Sequence, residues 1–504
     1  MKPTSDMDQE KMECSVLPTQ LTSRPEKVLK DLVVPLTELP ESPSAAKHRL
    51  YLTVGVLYLS SLAFGNACAY SSPALCDIRQ RISFTAEDTD WFGTLLNIGA
   101  VFGGLAAGGL INLIGRKRTV LLASCFFVGG WGFTMVAESP SMLFVGRFIV
   151  GFAVGLVALA LPVFISEISP SNTRGVLCAS SAIVITLGIM LTFILGKYLN
   201  YILLSLACML PSIVCGIGIC FIHESPRWLY QKGRKDQVVE ALHFYVGPYI
   251  ENEMYILRDS LDATEAFTLA DIPYVCKPFF CTLLSLFLQQ FSGICILLYF
   301  THDIFESSGS TISAADCSII VSAVQFLAIG FSSPLADRLG RKILLLASVA
   351  LAALSHVTLG LFFYFKNKQG NALLESFGWV PLVSVSVYFF GYAIGLAGLP
   401  WVLLGEMLPS RVKGAATGFC TAFCFACGVV VVKTFPDMLR FLGDAGLYWF
   451  YATVLACGFV LCISFVPETK GKSLEEIEEL FGRKTSTEAG SKPNFEVNLS
   501  VLPV

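Results

Sequence analysis

Uncharged apolar runs long enough to cross a bilayer recur along the chain and alternate with short polar segments. A spanning helix needs about 20 apolar residues, and a helix satisfies its own backbone hydrogen bonds inside lipid. The pattern therefore predicts an all-α membrane protein with 12 transmembrane helices. The expected spans are 50–70, 91–113, 118–137, 142–166, 175–196, 201–222, 279–300, 315–336, 343–364, 380–404, 412–433 and 446–466.

Polar segments flank and divide these runs. Residues 1–49 are charged and contain proline but no short apolar signal-peptide core, so we expect a disordered cytosolic N-terminal tail. Residues 223–278 are expected to form a cytosolic helical linker between two six-helix units, 50–222 and 279–466. Residues 467–504 are expected to be a cytosolic C-terminal tail. Basic residues in the short loops assigned to the cytosol support this orientation.

The two predicted units share motifs in the same order. The string GRKRTVLLAS at Gly115 returns as GRKILLLAS at Gly340, and a second pair of strings carries Glu167 and Glu406. A duplicated six-helix unit is common in secondary transporters, which bind their solute near the midplane between the repeats. The sequence therefore predicts two pseudo-symmetric six-helix bundles.

Composition supports a membrane protein. The 504 residues are 54% hydrophobic and 14% charged, against about 25% charged in soluble domains. This excludes a soluble enzyme, a nucleic-acid binder and a disulfide-rich secreted domain. The net charge of −3 indicates no charged partner. We expect the partners to be a small-molecule substrate and the lipid bilayer, with no nucleic acid, and the monomer to suffice for function.

Charged residues at the predicted cytosolic helix ends are candidates for a gate. Topology alone explains part of this charge. We favour a network that joins the two bundles when the cytosolic side is closed, because an ion pair at a helix boundary offsets its desolvation only in one geometry. The candidate residues are Arg116, Glu167, Arg174, Glu224, Asp337, Arg341, Glu406, Arg411 and Glu468.

Two predicted helices carry interruptions, at Gln289-Gln290-Phe-Ser-Gly293 and at Gly395-Leu-Ala-Gly398-Leu-Pro-Trp401. Such breaks persist at membrane depth only where they line a cavity or are buried in protein. Glutamine amides suit a neutral hydroxylated solute, and Trp401 offers a face for a sugar ring. For Gln289 alone, helix packing is the preferred interpretation. The candidate substrate-binding residues are Gln289, Gln290, Cys295, Tyr299, Gln325, Trp401, Cys424, Phe425, Ile185 and Ile189.

Most of the 17 cysteines lie in apolar runs, where they act as small apolar residues. Cys76 and Cys317 are a less favoured disulfide pair on the oxidising side. Three cysteines, 420, 424 and 427, share one helical face, but no histidine or acidic cluster accompanies them, so packing is preferred over a metal site. We therefore predict no metal, no cofactor and no catalytic site.

Together these motifs resemble the sugar porter family of the major facilitator superfamily over residues 50–484. Segments 69–75 and 432–435 are similar to its facilitated trehalose transporters and glucose facilitators. The resemblance implies two six-helix bundles, alternating access and a central hexose-sized cavity. The strings that carry it are GRK at 115–117, Pro162 to Glu167 with Arg174-Gly175, ESPRW at 224–228, QQFSG at 289–293, Asp337 to Lys342 and PETKG at 467–471.

The chain departs from the family pattern at several polar positions. Cys295 stands where glucose-binding members usually have asparagine, and Cys424-Phe425 replaces an Asn-Trp pair. Ala182 and Ala393 replace polar residues, while Gln325 keeps an amide where asparagine is common. An unpaired buried hydroxyl costs about 1–3 kcal/mol. These replacements therefore predict altered specificity or weaker glucose binding.

The sequence as a whole predicts facilitative uniport of a sugar, a hexose or a trehalose-like disaccharide, by alternating access. The resemblance implies that proton-coupled relatives use an acidic residue in span one, and this chain has none within the membrane part of that span. The alternatives are a non-transporting sugar sensor, a carrier of a less polar organic solute and a proton-coupled symporter. We expect the plasma membrane, with an internal membrane as the alternative.

Overall fold

The computed structural model describes most of the chain between the two polar ends. Residues 1–42 of the expected N-terminal tail, Arg411, about a third of the linker and most of the C-terminal tail lie outside the described residues. Residues 43–49, predicted as tail, are helical. The described residues are 43–247, 253–254, 257–258, 272–309, 312–370, 377–408, 413–472 and 476.

The first half of the described chain is built of long helices. Its helices are α1 (Pro43–Ala69), the shorter α2 (Ser71–Arg81), α3 (Ala86–Leu113), α4 (Arg116–Met135), α5 (Pro140–Ile168), α6 (Ser171–Tyr198) and α7 (Tyr201–Cys220). Two short helices follow in the linker, α8 (Pro226–Gln231) and α9 (Lys235–Val246).

The second half repeats this order, with two of its spans broken into shorter helices. Its helices are α10 (Ile272–Phe291), α11 (Ile294–Tyr299), α12 (Thr301–Ser308), α13 (Ala314–Leu339), α14 (Arg341–Gln369), α15 (Val380–Ile394), α16 (Leu399–Met407) and α17 (Lys413–Phe465).

Eleven segments of the described chain are long and apolar enough to span a membrane. One of them covers 50 residues, Ala416–Phe465, or about 75 Å of helix at 1.5 Å per residue. That exceeds twice the roughly 30 Å hydrocarbon core. Gly443 interrupts it with φ 68° and ψ 173°. The segment therefore holds two helices, at the positions of the last two predicted spans.

Small residues allow the helices of the first half to pack closely. Helices α3 and α5 make the most extensive contact in the fold. A side chain added at Gly99 or Gly103 of α3 would collide with the backbone of Phe148 or Phe152 in α5. Glycine at these positions therefore sets the distance between the two helices.

The two halves meet along two helix pairs, α3 with α17 and α6 with α13. The α3–α17 contact extends to Gly108 and Gly418, where a Cβ on Gly418 would lie 3.6 Å from the Cα of Gly108. Large apolar side chains cover the outside, as expected of a surface that faces lipid. Those more than half exposed include Leu52, Phe102, Leu113, Phe221, Phe331 and Val460.

The disulfide considered between Cys76 and Cys317 is wrong, since neither cysteine is in a disulfide. The Cys317 side chain is buried, and its thiol points to the carbonyl of Ile312. The Cys76 thiol instead lies 3.4 Å from Nδ1 of His302. The two thiols therefore sit in different environments.

Replacing Gly103 by valine should destabilise the protein, because the new side chain meets the Phe152 carbonyl in a close-packed contact. We expect a loss of about 1–3 kcal/mol, measured as a lower midpoint of thermal unfolding in detergent. Gly109 lies on the same helix with nothing within 4 Å of an added Cβ. Gly109→Val is thus the matched control, and equal losses in both variants would contradict the packing account.

Candidate solute site and gates

The break between α10 and α11 lies at Gly293, whose φ of 85° is left-handed. Side chains from other helices hold it in place. The Ser292 hydroxyl lies 2.8 Å from the Tyr388 hydroxyl, and the Ser292 carbonyl accepts a 2.8 Å hydrogen bond from Nε2 of buried His356. The freed backbone group is therefore satisfied within protein, as an interruption at membrane depth requires.

The second break separates α15 from α16 at residues 395–398. Gln289 of α10 donates through Nε2 to the carbonyls of Leu396 (2.8 Å) and Ala397 (3.1 Å). Its amide thereby compensates the backbone groups that the interruption frees. Gln289 was among the candidate substrate-binding residues, and the structure places its amide nitrogen on backbone.

Polar side chains from both halves meet in the middle of the molecule. Gln290 donates to the Cys424 thiol (3.0 Å) and accepts from the Cys295 thiol (3.1 Å). The Tyr299 hydroxyl donates to Oδ1 of Asn97 (3.2 Å), which belongs to α3 in the first half. We call these five residues the central cluster; the structure brings four predicted site residues together with Asn97, which sequence reasoning missed.

Gly428 of α17 lies between the two amides of this cluster. A Cβ there would lie 3.2 Å from Oδ1 of Asn97 and 3.4 Å from Oε1 of Gln290. The absent side chain therefore lets α17 pack closely against one residue of each half.

Two buried amide atoms on different halves have no hydrogen-bond partner in the described chain: Nδ2 of Asn97, a member of the central cluster, and Oε1 of Gln325 in α13. Asn97 is 2% exposed and Gln325 is 3% exposed. An unsatisfied buried polar atom costs about 1–3 kcal/mol. One atom is a donor and the other an acceptor, which is the pair that a solute hydroxyl satisfies.

The other predicted site residues lie in apolar surroundings. Trp401 packs against a buried group that includes Cys424 and Leu404, and Phe425 is buried in the main core. The backbones of Ile185 and Ile189 lie against Gly65 of α1. Trp401 is thereby placed on the same buried group as Cys424 of the central cluster.

Arg147 of α5 is a fully buried charge that sequence reasoning missed. Its guanidinium donates to the Ser71 hydroxyl (2.6 Å) and the Ala67 carbonyl (3.2 Å). It also lies 4.8 Å from the ring centroid of Phe92 and 5.8 Å from that of Tyr70. These partners are neutral. The signal was a lone arginine in a long apolar run, which by default marks function.

At one membrane face, which we call the basic end, the predicted gate residues of the first half meet. Nη2 of Arg116 lies 2.8 Å from Oε1 of Glu167, and both side chains are nearly buried. Oε1 of Glu224 accepts the backbone N–H groups of Arg116 and Lys117, each at 2.9 Å. The Ser225 hydroxyl donates to Glu167. These contacts connect the ion pair to the linker, and they place the Glu224 carboxylate at the start of α4, where the helix dipole favours an anion.

The second half repeats this arrangement. Arg341 donates to Oε1 of Glu406 (3.3 Å), and Asp337 lies 3.1 Å from the same guanidinium. Glu468 accepts the backbone N–H groups of Arg341 (2.9 Å) and Lys342 (3.1 Å). Gly115 and Gly340, both with positive φ, stand where a side chain would collide with Glu224 or Glu468. We call each such set a brace.

In this structure each described Arg–Glu pair lies inside one half. That the network joins the two bundles when the cytosolic side is closed stays a prediction. The Arg174 guanidinium donates to the Ser169 carbonyl (3.3 Å), while Glu167 pairs with Arg116. The reason is packing. Helices α4 and α5 lie side by side, so Arg116 is the cation that reaches Glu167.

The pKa values of the matching carboxylates in the two braces are shifted in opposite directions. Burial raises the pKa of Glu224 despite its backbone hydrogen bonds. Burial also acts to raise the pKa of Glu468, but the backbone N–H groups around it outweigh burial and lower the pKa. Mild acidification therefore protonates the first brace before the second.

The opposite membrane face carries polar contacts between the halves. Arg79 of α2 makes two bonds to Asp303 of α12, at 3.0 and 3.2 Å. Lys197 of α6 pairs with Asp316 of α13. A further contact places Nζ of Lys433 4.0 Å from the ring centroid of Trp91. The structure is therefore closed at this end, which we call the opposite end.

Comparison with known proteins decides the family. A family model described as "Sugar (and other) transporter" matches residues 52–481. The chain belongs to this family. It is a multi-pass membrane transporter, and the predicted resemblance to sugar porters is confirmed.

Curated relatives of this transporter cover nearly all of it. The facilitated trehalose transporter Tret1 of Apis mellifera ligustica is 35% identical over 477 residues, 90% of this chain and 93% of the relative. The protein of the same name from Polypedilum vanderplanki is 36% identical over 451 residues, 86% of this chain and 89% of the relative.

Solved structures show the same fold as this transporter. The major facilitator proton:xylose symporter XylE bound to 6-bromo-6-deoxy-D-glucose has a TM-score of 0.73 at 23% identity, over 87% of this chain and all of that one. An inward open structure of XylE from E. coli has a TM-score of 0.71 at 23% identity, over 86% of this chain and 99% of that one. The predicted major facilitator fold is confirmed.

Arg116→Ala should destabilise the transporter by about 3–5 kcal/mol, because it leaves the Glu167 charge buried without its cation. Adding Glu167→Gln should restore part of this loss, which a double-mutant cycle of unfolding free energies measures. The exposed pair Arg440–Asp437 supplies the control, and Arg440→Ala should change stability by less than about 0.5 kcal/mol. Additive losses at Arg116 and Glu167 would argue against the brace.

Proposed function

We propose that this transporter carries a sugar, a hexose or a trehalose-like disaccharide, across the membrane by facilitated uniport. The observation that carries the proposal is a pair of unpartnered amide atoms in the described chain, one on each half: Nδ2 of Asn97 in the central cluster and Oε1 of Gln325 in α13. A hydroxylated solute supplies the missing donor and acceptor. The names of the relatives support trehalose as the first substrate to test.

The distribution of ion pairs supports alternating access by movement of whole halves. The Arg116–Glu167 pair of the first brace is buried within one half, so breaking it is costly. The pairs that cross between the halves at the opposite end are about a third or more exposed, and exposed pairs contribute roughly 0–1 kcal/mol. The halves therefore separate at the opposite end more easily than either half deforms. The braces act as stiffeners, and the crossing pairs act as the gate.

Uniport is supported by the surroundings of Arg147. A symporter needs a group that takes up and releases the coupling proton during transport, usually a carboxylate inside the membrane. The recorded partners of Arg147 are carbonyls, a hydroxyl and aromatic rings. Span one also lacks an acidic residue within the membrane.

We place the basic end, with its two braces and the linker helices, in the cytosol, because basic loops stay on that side. The linker attaches to this end through Nε1 of Trp228, which donates to the Asn112 carbonyl (3.0 Å), and through Arg49, which donates to the Phe244 carbonyl (3.2 Å). The opposite end then faces outward at the plasma membrane. A monomer contains the whole central cluster.

Gln325→Leu separates a substrate role from a packing role. Its Oε1 has no partner, so removing the amide should leave the unfolding free energy unchanged within about 1 kcal/mol or raise it. The same change should raise the half-saturation concentration for trehalose uptake into proteoliposomes by roughly 5- to 100-fold, since 1.4 kcal/mol is tenfold in affinity. Exposed Gln80 provides the control Gln80→Leu, which should leave uptake intact. Stability loss with unchanged half-saturation would refute the assignment.

Trehalose uptake should not be driven by a proton gradient. In proteoliposomes with equal sugar inside and outside, an imposed pH difference should cause no net accumulation, because the partners of Arg147 in the described chain are neutral. Labelled trehalose should still exchange under the same conditions, which is the internal control. Accumulation that a protonophore abolishes would identify a symporter instead.

A further inference from the structure

A cysteine and a histidine from different halves face each other at the opposite end. The Cys76 thiol of α2 lies 3.4 Å from Nδ1 of His302 at the start of α12. Asp303 places a carboxylate oxygen within 4.8 Å of both atoms. All three side chains are partly exposed, so an aqueous ion reaches them. No other group of this kind is recorded in the described chain.

The spacing matches a metal site. In a tetrahedral zinc site, with Zn–S near 2.3 Å and Zn–N near 2.0–2.1 Å, sulfur and nitrogen lie about 3.5 Å apart. The observed 3.4 Å therefore requires almost no movement of Cys76 or His302. A second carboxylate is in reach, since Oε2 of Glu306 lies 3.8 Å from Nδ1 of His302.

The charges around the site decide which carboxylate binds. Arg79 occupies both oxygens of Asp303, and a dication that took Asp303 would lie beside the guanidinium. Glu306 is mostly exposed, with no recorded partner other than His302, so it moves at little cost. Cys76, His302 and Glu306 thus form the least hindered ligand set, with water in the fourth position.

We propose that Cys76 and His302, with Glu306 or Asp303, bind Zn²⁺ across the two halves and lock the opposite end closed. The thiol loses its proton to water as the Zn–S bond forms. Since the ligands come from α2 and α12, they are together only while this end is closed, and the ion binds that state alone. A free zinc concentration about 100 times the dissociation constant would favour the closed state about 100-fold.

The metal-free structure already holds the two ligands together, with the Cys76 thiol 3.4 Å from Nδ1 of His302. In that form the S–H bonds to His302 as a weak latch. Zinc replaces the proton with a stronger bond between the same two atoms.

Zinc binding is tested directly by the alkylation of Cys76, whether or not the protein transports sugar. The purified full-length protein is stripped of metal, and its Cys76 peptide is followed by mass spectrometry during maleimide labelling, with and without zinc chloride. We expect micromolar zinc to slow labelling of Cys76 at least tenfold. His302→Ala and His302→Gln should raise the zinc concentration needed by about a hundredfold, since loss of an outer-shell partner alone costs 10–100-fold.

His243 of α9 is the matched control, because it lies in the linker far along the chain from α2 and α12. His243→Ala should keep full zinc protection. Unchanged labelling in the presence of zinc would overturn the site. Equal protection in the wild type and both His302 variants would overturn it too, since Cys76 would then bind zinc without its partner.

The lock is tested by trehalose uptake into proteoliposomes with zinc on both sides. This arm rests on the proposed function, and the labelling arm does not. Zinc should inhibit uptake by the wild type and by His243→Ala and should spare His302→Ala. Protection of Cys76 without inhibition of uptake would overturn the lock, whereas absence of any zinc-free uptake would be a failure of the proposed function.

Discussion

Each half of this transporter depends on one Arg–Glu ion pair at the basic end, nearly buried in the first half and partly buried in the second. Arg116–Glu167 in the first half and Arg341–Glu406 in the second join neighbouring helices where the chain leaves the membrane. A carboxylate from beyond the last helix of each half caps the same arginine's backbone. Because a buried charge is costly without its partner, each pair resists separation of the helices it joins. The central cluster can then be shared between two bodies that keep their own shape.

In the middle of the molecule, interrupted helices and the polar side chains around them determine which groups face one another. Gly293 and residues 395–398 interrupt two spans, and Ser292, His356 and Gln289 satisfy the freed groups from within the second half. The first half contributes Asn97 and the buried Arg147, whose partners are neutral. Polar groups from both halves therefore meet at the central cluster, where we propose that the solute binds, and contacts between the halves at the opposite end are the weaker ones.

The fold could be predicted because apolar runs, loop charge and the repeated GRK strings each report a local property. The hydrogen-bond and ion-pair partners of individual side chains could not be predicted in the same way. Glu167 pairs with Arg116 on the neighbouring helix and leaves Arg174 to a carbonyl, since packing of α4 on α5 decides which cation is near. Gln289 and Gln290 are adjacent in sequence, yet one amide holds a helix break and the other enters the cluster. Asn97 and Arg147 needed the fold to show what faces them.

The central claim is that two braced halves move as bodies around a shared site. Its most direct test is the distance between spin labels at Gln80 of α2 and Ser307 of α12, in protein whose other reactive cysteines are replaced. The account predicts two distance populations whose ratio changes when trehalose is added. Labels at Arg118 and Lys232, both at the basic end of the first half, should give one unchanged distance. A single Gln80–Ser307 distance that stays the same when trehalose is added would contradict the account. An Arg118–Lys232 distance that changes on addition of trehalose would contradict it too.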